Sequence, residues 1–476
     1  MISLPFVKDQ TVAVLGLGKS GLTAARALQA GGATVRAWDD GEKARAAAEA
    51  AGVALTPLSD AASLDGVAML VMSPGIPHSF PQAHPVAAAA KAKSIPLVSD
   101  VELLLHAQSG SRFAGITGTN GKSTTTALLA HILKEADARM DVGGNLGPAA
   151  LGLQELGNGG TYVLELSSYQ IELIHTAGFD LAVLLNITPD HLDRHGGMDG
   201  YVAAKRRLFD MVKGKGVAVI GVDDDYSKAI AKDVAKMGIR VVPVTVGNPI
   251  EAGVWVRDGQ LHDGRARDGK TFVADLTKAK ALPGKHNWQN AAAAYAAARA
   301  LWIDPKKAAD AILSFPGLAH RQEKLADIAG VAFVNDSKAT NADATSKALA
   351  CYDAIYWIAG GLAKDGGIET LTSWHKHIRH AFLIGKAADD FARTLDGKVP
   401  YTMCGELPAA LGAAAKLAWD EKITGATVLL SPACASFDQF ANFEARGDAF
   451  RALVQDLSKR SVGAQSLLAP SAGVGA

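Results

Sequence analysis

The sequence predicts an α/β protein made of three doubly wound units, and three observations support this fold class. Short apolar runs typical of buried strands alternate with helix-compatible stretches along most of the 476 residues. A glycine-rich strand–turn–helix pattern opens the chain at residues 11–30. A second glycine-rich turn, of the phosphate-binding type, follows an apolar strand within residues 113–126. We therefore expect an N-terminal Rossmann-like domain (1–108), a central P-loop ATPase-type domain (109–317), a C-terminal Rossmann-like domain (318–460) and a flexible tail (461–476).

The composition argues against several classes of protein. The 48 basic residues are balanced by 48 acidic residues, so neither nucleic acid nor a charged membrane surface is an expected partner. No stretch approaches the roughly 18 apolar residues of a membrane-spanning helix, and the first residues lack a secretory pattern. Cys351, Cys404 and Cys434 match no metal or disulfide spacing, which fits a reducing compartment. We expect a cytoplasmic monomer with no membrane insertion.

The phosphate-binding turn is the sequence GITGTNGKSTT. Gly118 and Gly121 let backbone N–H groups approach phosphate oxygens where a Cβ would obstruct them. Lys122 supplies a positive charge for the outer phosphates, and Ser123 supplies a hydroxyl for Mg²⁺ at the start of a helix. The strict pattern would place glycine at Ile116, so this turn is a variant; the alternative is a helix-capping turn with an incidental lysine. We interpret the segment as a site for a nucleoside triphosphate.

The opening pattern is that of a dinucleotide-binding fold. Gly16, Gly18 and Gly21 follow the first predicted strand, and the second strand ends at Asp39. Alone, this fingerprint suggests an NAD-dependent enzyme. The glycines specify only the close approach of backbone to a pyrophosphate, however, and a UDP-sugar also carries one. A third interpretation is that the glycines only pack the helix against the strand.

Polar residues interrupt the apolar strands of the central segment. Glu165 lies in the run YVLEL, where a carboxylate is costly unless Mg²⁺ or a buried cation partners it. His191 follows the next strand. Two interpretations are open for it, a metal ligand and a hydrogen-bonded structural residue. Lys205 lies on an amphipathic helix, where a solvated lysine is the commoner interpretation. Asn287 and Asn290 are three residues apart at the start of a helix, so both can reach one ligand.

Three strand-end loops of the C-terminal segment, NDSKATN, GGLAKDGG and SPACASFD, carry Lys, Ser, Thr and Asp side chains. Ligands of α/β sheets bind beyond the carboxyl ends of the strands. These loops therefore suit an anionic small substrate.

Taken together, the segments resemble one family. GITGTNGKSTT, LELSSYQIE, NITPDHLDRH, LPGKHNWQN, AHRQE, NDSKATN and SPACASFDQFANFEARGDAF are similar to the motifs of the Mur ligases, and NDSKATN and the last segment resemble the members that add D-glutamate. The resemblance extends from about residue 8 to residue 455 and is far more specific than either glycine-rich turn alone.

The resemblance implies an ATP-dependent ligase of peptidoglycan precursor synthesis. ATP would phosphorylate the carboxylate of UDP-N-acetylmuramoyl-L-alanine, and the amine of D-glutamate would attack the acyl phosphate. Two Mg²⁺ ions are implied as cofactors, together with a carbamate formed from CO₂ on Lys205. The carbamate requires a neutral amine, so it replaces the solvated interpretation of that lysine.

The resemblance also assigns residues to sites. Catalytic roles fall to Lys122, Lys205, His191 and Glu165. ATP contacts are implied for Gly118, Thr119, Asn120, Gly121, Lys122, Ser123, Thr124, Asn287, Asn290, Arg321 and Asp336. The Mg²⁺ ligands would be Ser123, Glu165, His191 and carbamylated Lys205. The UDP-sugar would contact Lys19, Ser20, Asp39, Asn145 and His191, and D-glutamate would contact Lys364, Thr340, Ser436 and the backbone near Phe443. The three domains would bind the UDP-sugar, ATP with Mg²⁺, and the amino acid respectively, and the third would close on ATP.

Two departures from the family pattern fall in the UDP-sugar site. The segment Asp39-Asp40-Gly41 lacks the Thr-Arg pair of some members, and Lys19 stands where leucine is familiar. An Asp-Asn-Pro-Arg segment, used by the diaminopimelate-adding ligase, is absent from the sequence. The alternatives are another Mur ligase or a folylpolyglutamate synthase, an NAD-dependent oxidoreductase, and a non-catalytic nucleotide-dependent regulator.

Overall fold

A computed structural model describes residues 1–59, 61–266, 269–363 and 367–468, with side chains described as far as residue 459. The chain forms two compact units. The first comprises Met1–Lys280 and Lys285–Phe315, and the second comprises Ala281–Gly284 and the chain from Pro316 onward. Two sheets lie in the first unit and one in the second.

The first sheet is a small parallel sheet near the N-terminus. Its strands are β1 (Thr11–Leu15), β2 (Thr34–Trp38), β3 (Val67–Met72) and β4 (Leu97–Val98). They lie in the order β2-β1-β3-β4, and all pairs are parallel. The accompanying helices are α1 (Lys19–Ala30), α2 (Glu42–Ala50), α3 (Pro85–Ala92) and α4 (Asp100–Ala107).

The second sheet has nine strands and carries the phosphate-binding turn. Its strands are β5 (Arg112–Thr117), β6 (Met140–Gly144), β7 (Thr161–Glu165), β8 (Phe179–Leu184), β9 (Val212–Gly221), β10 (Arg240–Val246), β11 (Val254–Arg257), β12 (Gln260–Asp263) and β13 (Phe272–Asp275). The order is β13-β12-β11-β10-β9-β8-β5-β7-β6, and only β12 and β13 pair antiparallel to their neighbours. The helices are α5 (Lys122–Glu135), α6 (Ser168–Glu172), α7 (Leu192–His195), α8 (Met198–Arg206), α9 (Asp225–Lys236), α10 (Lys285–Ala300) and α11 (Pro305–Ser314).

The third sheet lies in the second unit and has six strands. They are β14 (Glu323–Ile328), β15 (Val331–Asn335), β16 (Ala354–Gly360), β17 (Ile378–Ile384), β18 (Tyr401–Gly405) and β19 (Ala426–Leu430). The order is β14-β15-β19-β16-β17-β18, parallel except for the edge strand β14. The helices are α12 (Ala342–Leu349), α13 (Ala388–Leu395), α14 (Leu407–Glu421) and α15 (Phe443–Leu468).

The predicted fold class, α/β with three doubly wound parallel sheets, is confirmed. The domain boundaries stay predictions. The first two sheets belong to one compact unit, and a single buried apolar cluster that reaches from Ile2 to Val234 draws on both of them. Helix α15 continues to Leu468, into the segment predicted as a flexible tail, and residues 469–476 lie outside the described chain. In the described part of the chain, no helix is long and apolar enough to cross a membrane.

The end of α10 offers a test of backbone strain. Trp302 has φ 69°, and the N–H of Ile303 donates to the Ala298 carbonyl at 3.0 Å, as in a Schellman cap. A glycine suits this left-handed position, whereas the Trp302 side chain is 84% exposed and packs little. We expect Trp302→Gly to stabilise the protein by about 1 kcal/mol, measured as a rise in Tm of about 1–3 °C. Trp302→Ala keeps the strained conformation, so an equal rise in that control would contradict the explanation.

Candidate active site

The phosphate-binding turn connects β5 to α5, and β5 lies between β8 and β7 in the nine-stranded sheet. Gly118 and Gly121 have φ of 152° and 86°, which only glycine adopts without strain. A Cβ on Gly121 would also collide with Oδ1 of Asn290 from α10. The turn therefore has the predicted strand–loop–helix geometry, and both glycines are required by it.

The segment after β8 holds this turn in place. The Asn120 N–H donates to Oδ1 of Asn186 at 2.9 Å, and the Thr119 N–H donates to the Asn186 carbonyl at 2.9 Å. Oγ1 of Thr119 donates to the Thr188 carbonyl at 3.1 Å and lies 3.0 Å from the Tyr201 hydroxyl. These hydrogen bonds therefore fix the turn from one side, and they occupy the N–H groups of Thr119 and Asn120.

Lys122 folds back over the turn. Its Nζ donates to the carbonyls of Gly118 and Thr119 at 2.9 and 2.8 Å. Ser123 occupies the next position in the first turn of α5. The cation and the hydroxyl therefore stand together at a helix N-terminus, where anionic oxygens are favoured.

Glu165 is the last residue of β7, beside the phosphate-binding turn. It pairs in register with Ile116 of β5 and is 2% exposed. Its Oε1 accepts from Nδ2 of Asn145 at 2.7 Å, whereas its Oε2 is buried and has no hydrogen-bond partner among the described residues. A buried carboxylate oxygen in this state calls for a cation.

Lys205 is 1% exposed, so its interpretation as a solvated surface lysine is wrong. Its Nζ donates to the Gly118 carbonyl at 2.9 Å and lies 4.7 Å from the centre of the Tyr201 ring. Among the described residues no carboxylate forms an ion pair with it. Burial, reinforced by the charge of Lys122, lowers the pKa of this amine well below its usual value. The periodicity of α8 does not predict this burial, because the side of the helix that bears Lys205 packs against the phosphate-binding turn.

His191 follows β8 with φ 53°, a left-handed conformation. Its side chain is half-exposed, with Nε2 3.5 Å from Oδ2 of Asp190. Burial lowers its pKa, Asp190 opposes this, and the charges of Lys122 and Lys205 add to it. These electrostatic couplings place His191 in the same cluster as both lysines.

Asn287 and Asn290 lie in the first two turns of α10, next to the phosphate-binding turn. Nδ2 of Asn290 donates to Oδ1 of Asn287 at 3.1 Å, and Oγ1 of Thr125 donates to Oδ1 of Asn290 at 3.4 Å. The structure thus brings these two asparagines together with Lys122, Glu165, His191 and Lys205 in the first unit.

Three of the predicted UDP-sugar residues, Lys19, Ser20 and Asp39, lie around the β1–α1 turn. The two carboxylate oxygens of Asp39 accept from the N–H groups of Leu17 and Gly41 at 2.6 and 2.7 Å. Nζ of Lys19 donates to the Gly147 carbonyl, and the Ser20 hydroxyl hydrogen-bonds to Asp100.

The glycines of this turn divide into two kinds. Gly16 and Gly21 are required for packing, since a Cβ on either would meet Ser73 or the Gly16 carbonyl. A Cβ on Gly18 would meet nothing within 4 Å. Only Gly18 therefore leaves open space at the turn.

In the second unit Asp336 follows β15 and is buried. Its oxygens accept from the Gln322 N–H at 3.1 Å and from the Ser431 hydroxyl at 2.8 Å. Burial raises the pKa of Asp336 to about 7, and the Ser431 hydroxyl and the charge of Arg321 oppose the rise. Arg321 and Asp336 therefore interact electrostatically within the second unit.

Thr340 and Ser436, which were predicted to contact the amino acid, lie beyond the carboxyl ends of strands of the third sheet, as Asp336 does. Thr340 is in the loop after β15, and Ser436, 2% exposed, is in the loop after β19, the adjacent strand. Nζ of Lys338 lies 3.8 Å from the ring centre of Phe443, a contact that sequence reasoning missed although Lys338 stands in the quoted motif. The prediction for Lys364 lies outside the described residues.

A phosphate-binding turn beside a buried carboxylate, a buried lysine and a histidine defines a nucleotide-dependent α/β enzyme. Residues 10–99 match the Mur ligase MurD-like, N-terminal domain, and residues 116–298 match the Mur ligase middle domain. A UDP-N-acetylmuramoylalanine–D-glutamate ligase of Paramagnetospirillum magneticum is 55% identical over 457 residues, 96% of this chain and 98% of the relative. The ligase of the same name from Rhodospirillum rubrum is 55% identical over 469 residues, 96% of this chain and 97% of the relative. The chain belongs to the Mur ligase family.

Solved structures show the same fold at lower sequence identity. UDP-N-acetylmuramate-alanine ligase MurC of Thermotoga maritima superposes with a TM-score of 0.57 at 17% identity, covering 94% of this chain and 99% of that one. MurF of Acinetobacter baumannii gives a TM-score of 0.56 at 20% identity, covering 75% and 79%. Because the chain belongs to this family, the N-terminal glycine turn is not interpreted as the NAD site of an oxidoreductase.

Proposed function

We propose that this protein is the ATP-dependent ligase that joins D-glutamate to UDP-N-acetylmuramoyl-L-alanine in peptidoglycan precursor synthesis. The observation that carries the proposal is the near-full-length identity of 55% to relatives that bear that name. The cluster of Lys122, Glu165 and Lys205 supports it, because a phosphate-binding turn alone would serve any nucleoside triphosphatase.

The reaction needs an activated carboxylate. A carboxylate is a poor acyl donor, since its charge repels nucleophiles and oxide is a poor leaving group. Transfer of the γ-phosphoryl group to the L-alanyl carboxylate gives an acyl phosphate, which the D-glutamate amine attacks with release of phosphate. The protein therefore has to position the reactants and neutralise charge.

ATP is assigned to the phosphate-binding turn. The segment Gly118–Gly121 and the hydroxyl groups of Ser123 and Thr124 would hold the phosphates, with Nζ of Lys122 on the outer ones. Asn287 and Asn290 extend this site along α10. By the family resemblance alone, Arg321 and Asp336 would also contact ATP.

Mg²⁺ fits the residues present. The buried Oε2 of Glu165 has no hydrogen-bond partner in the described part of the chain, and the Ser123 hydroxyl stands at the N-terminus of α5. His191 completes the set for a second ion. The metal shields phosphate and carboxylate oxygens from each other. Among the described residues no cluster of three or more His, Cys, Asp or Glu side chains is arranged as a metal site, so the proposed set depends on a hydroxyl and a modified amine.

The modified amine is Lys205. CO₂ adds only to a neutral amine, and burial favours the neutral form of this one. Its Nζ lies 2.9 Å from the Gly118 carbonyl, at the base of the phosphate-binding turn. A carbamate there would carry an anionic oxygen into a site that otherwise has two lysines and one buried carboxylate, and it would serve as a magnesium ligand.

The two other substrates are assigned to the predicted loops. D-Glutamate would bind among Thr340, Ser436 and the backbone near Phe443, with Lys364 as the cation for a carboxylate. The UDP-sugar would bind beside Gly18, where an added Cβ would meet no described atom within 4 Å. Its other contacts would be made by Lys19, Ser20, Asp39, Asn145 and His191.

The remaining parts of the proposal concern organisation. Residues 1–108, 109–317 and 318–460 would act as the UDP-sugar, ATP and amino-acid domains of a monomer, with the third closing on ATP. A cytoplasmic location follows from the use of ATP and agrees with the three free cysteines at Cys351, Cys404 and Cys434.

The test is an assay of ADP and product formation with UDP-N-acetylmuramoyl-L-alanine and ATP. We expect turnover with D-glutamate to exceed turnover with L-glutamate or L-alanine by about 100-fold or more, because buried polar groups of a site reject a mismatched amino acid. Omission of the UDP-sugar is the control for uncoupled ATP hydrolysis. Turnover with another amine only would assign the protein to a different branch of the family, and ADP release without product would favour a nucleotide-dependent regulator.

A further inference from the structure

Arg446 is a buried cation at the start of α15 that the predicted site does not include. It is 1% exposed and belongs to the largest fully buried side chains of the protein. In the part of the chain that the structure describes, no carboxylate pairs with it, and the charge of Asp438 acts on it only from a longer distance. Burial lowers the pKa of Arg446 to about 10, so the side chain stays charged at neutral pH.

Its hydrogen bonds join two loops instead. Nε donates to the Ser337 hydroxyl at 2.9 Å, and Nη2 donates to the carbonyls of Ser337 and Cys434 at 2.9 and 3.0 Å. Nη1 points at the Ala435 carbonyl at 3.4 Å. Ser337 is in the loop after β15, and Cys434 is in the loop after β19, the neighbouring strand. The rigid guanidinium fork therefore fixes the separation of the two strand ends.

A third loop, the one after β16, also packs against the Arg446 side chain. The backbones of Leu362 and Ala435 exchange two hydrogen bonds of 2.9 and 3.0 Å. Gly361 has φ 132°, and a Cβ on it would lie 3.2 Å from Nη1 of Arg446 and would collide with the Ala435 carbonyl. The loop after β16 is therefore packed against the guanidinium as well.

These loops are the ones that carry the proposed amino-acid contacts. Thr340 follows Ser337 by three residues, Ser436 follows Cys434 by two, and Phe443 precedes Arg446 by three on α15. The Ser337 hydroxyl also donates to the Phe443 carbonyl at 2.9 Å. A buried positive charge beside them favours an anionic ligand, because charges interact strongly where water is excluded.

We propose that Arg446 is a positioning residue of the amino-acid subsite, which holds the loops bearing Thr340 and Ser436 at the separation that a dicarboxylic amino acid requires. The proposal rests on the proposed function. A purely structural arginine would contribute to the stability of the second unit alone. A positioning arginine also changes the KM for the amino acid, since a loss of folded protein lowers the measured kcat and leaves KM unchanged.

The test compares Arg446→Lys and Arg446→Met with Val454→Ala. Val454 is 1% exposed on the same helix and packs in an apolar cluster, so Val454→Ala is a destabilised control that keeps the hydrogen bonds of Arg446. We expect both Arg446 variants to raise the KM for D-glutamate by about tenfold or more, because small misplacements of binding groups are costly. The KM for the UDP-sugar, whose proposed contacts lie in the first unit, is expected to stay within about twofold.

The lysine variant separates geometry from charge. Lysine keeps the cation, but its single ammonium group lacks the planar fork with which Arg446 reaches Ser337 and Cys434 together, so Arg446→Lys should behave like Arg446→Met. An unchanged KM for D-glutamate in Arg446→Met, or an equal rise in Val454→Ala at the same Tm, would overturn the proposal. Recovery of the wild-type KM in Arg446→Lys would overturn the geometric part of it. Failure of the proposed function is recognised separately, because then the wild-type protein forms no product with D-glutamate.

Discussion

Lys122→Ala is expected to lower kcat by about 1,000-fold or more, the size of effect seen when one cation is removed from a phosphoryl-transfer site. Nζ of Lys122 lies over the phosphate-binding turn, 2.9 and 2.8 Å from the carbonyls of Gly118 and Thr119. Its charge is therefore placed where negative charge develops on the transferred phosphoryl group. The measurement is ADP release in the presence of both other substrates.

Lys134 provides the matched control. It is an exposed lysine in the last turn of the same helix, so Lys134→Ala removes the same charge far from the turn. We expect its kcat to stay within about twofold of wild type, as for a surface substitution. Substantial turnover in Lys122→Ala would contradict the placement of ATP. An oxidoreductase built on the N-terminal glycine turn has no need of Lys122, so this alternative predicts that Lys122→Ala stays active.

Lys205→Ala is expected to lose most activity, by about 100-fold or more, since it removes both the proposed metal ligand and a preorganised charge. Bicarbonate or acetate should restore part of the activity, because a small anion can occupy the space that the side chain leaves. The measurement is the initial rate of product formation with and without added anion. Mass spectrometry of the intact wild-type protein under CO₂ gives a second readout, a gain of one carboxyl group.

Arg206 is the control for this substitution. It is the next residue on α8 and pairs with Asp210 at 3.0 Å on the surface. Arg206→Ala is therefore expected to keep its activity and to show no response to acetate. Full activity of Lys205→Ala, or a loss that no anion alters in a folded protein, would argue against the carbamate.

The local structure around the glycine turns could be predicted from the sequence. The strand before Gly118 and the helix from Lys122 both form as expected, because the turn residues and the apolar run specify the same element. The first two strands, β1 and β2, also form where the opening glycine pattern and Asp39 predict them. The strand β6 was not predicted, because two of its five residues, Gly143 and Gly144, are typical of a turn. The edge strands β14 and β18 were missed as well, because edge strands expose one side and lose the apolar signal.

The burial of charged side chains could not be predicted in the same way. Lys205 and Arg446 each stand on a helix whose periodicity would also accept a surface position. Their environment is set by residues far along the chain, Gly118 for the first and Ser337 for the second. Only tertiary structure brings those partners together. The family resemblance singled out Lys205, whereas Arg446 stands in the quoted segment SPACASFDQFANFEARGDAF without an assigned role.

The enclosure of Lys205 sets a time scale as well as a charge state. An amine that is 1% exposed meets a dissolved gas molecule only when the side chains around it move apart, and such openings of a packed region are rare. Under the carbamate proposal, the ligand would exchange slowly once formed. Protein made while inorganic carbon is plentiful would keep its active form through brief shortages, and supply of the cell-wall precursor would follow the average carbon status of the cell, not its momentary value.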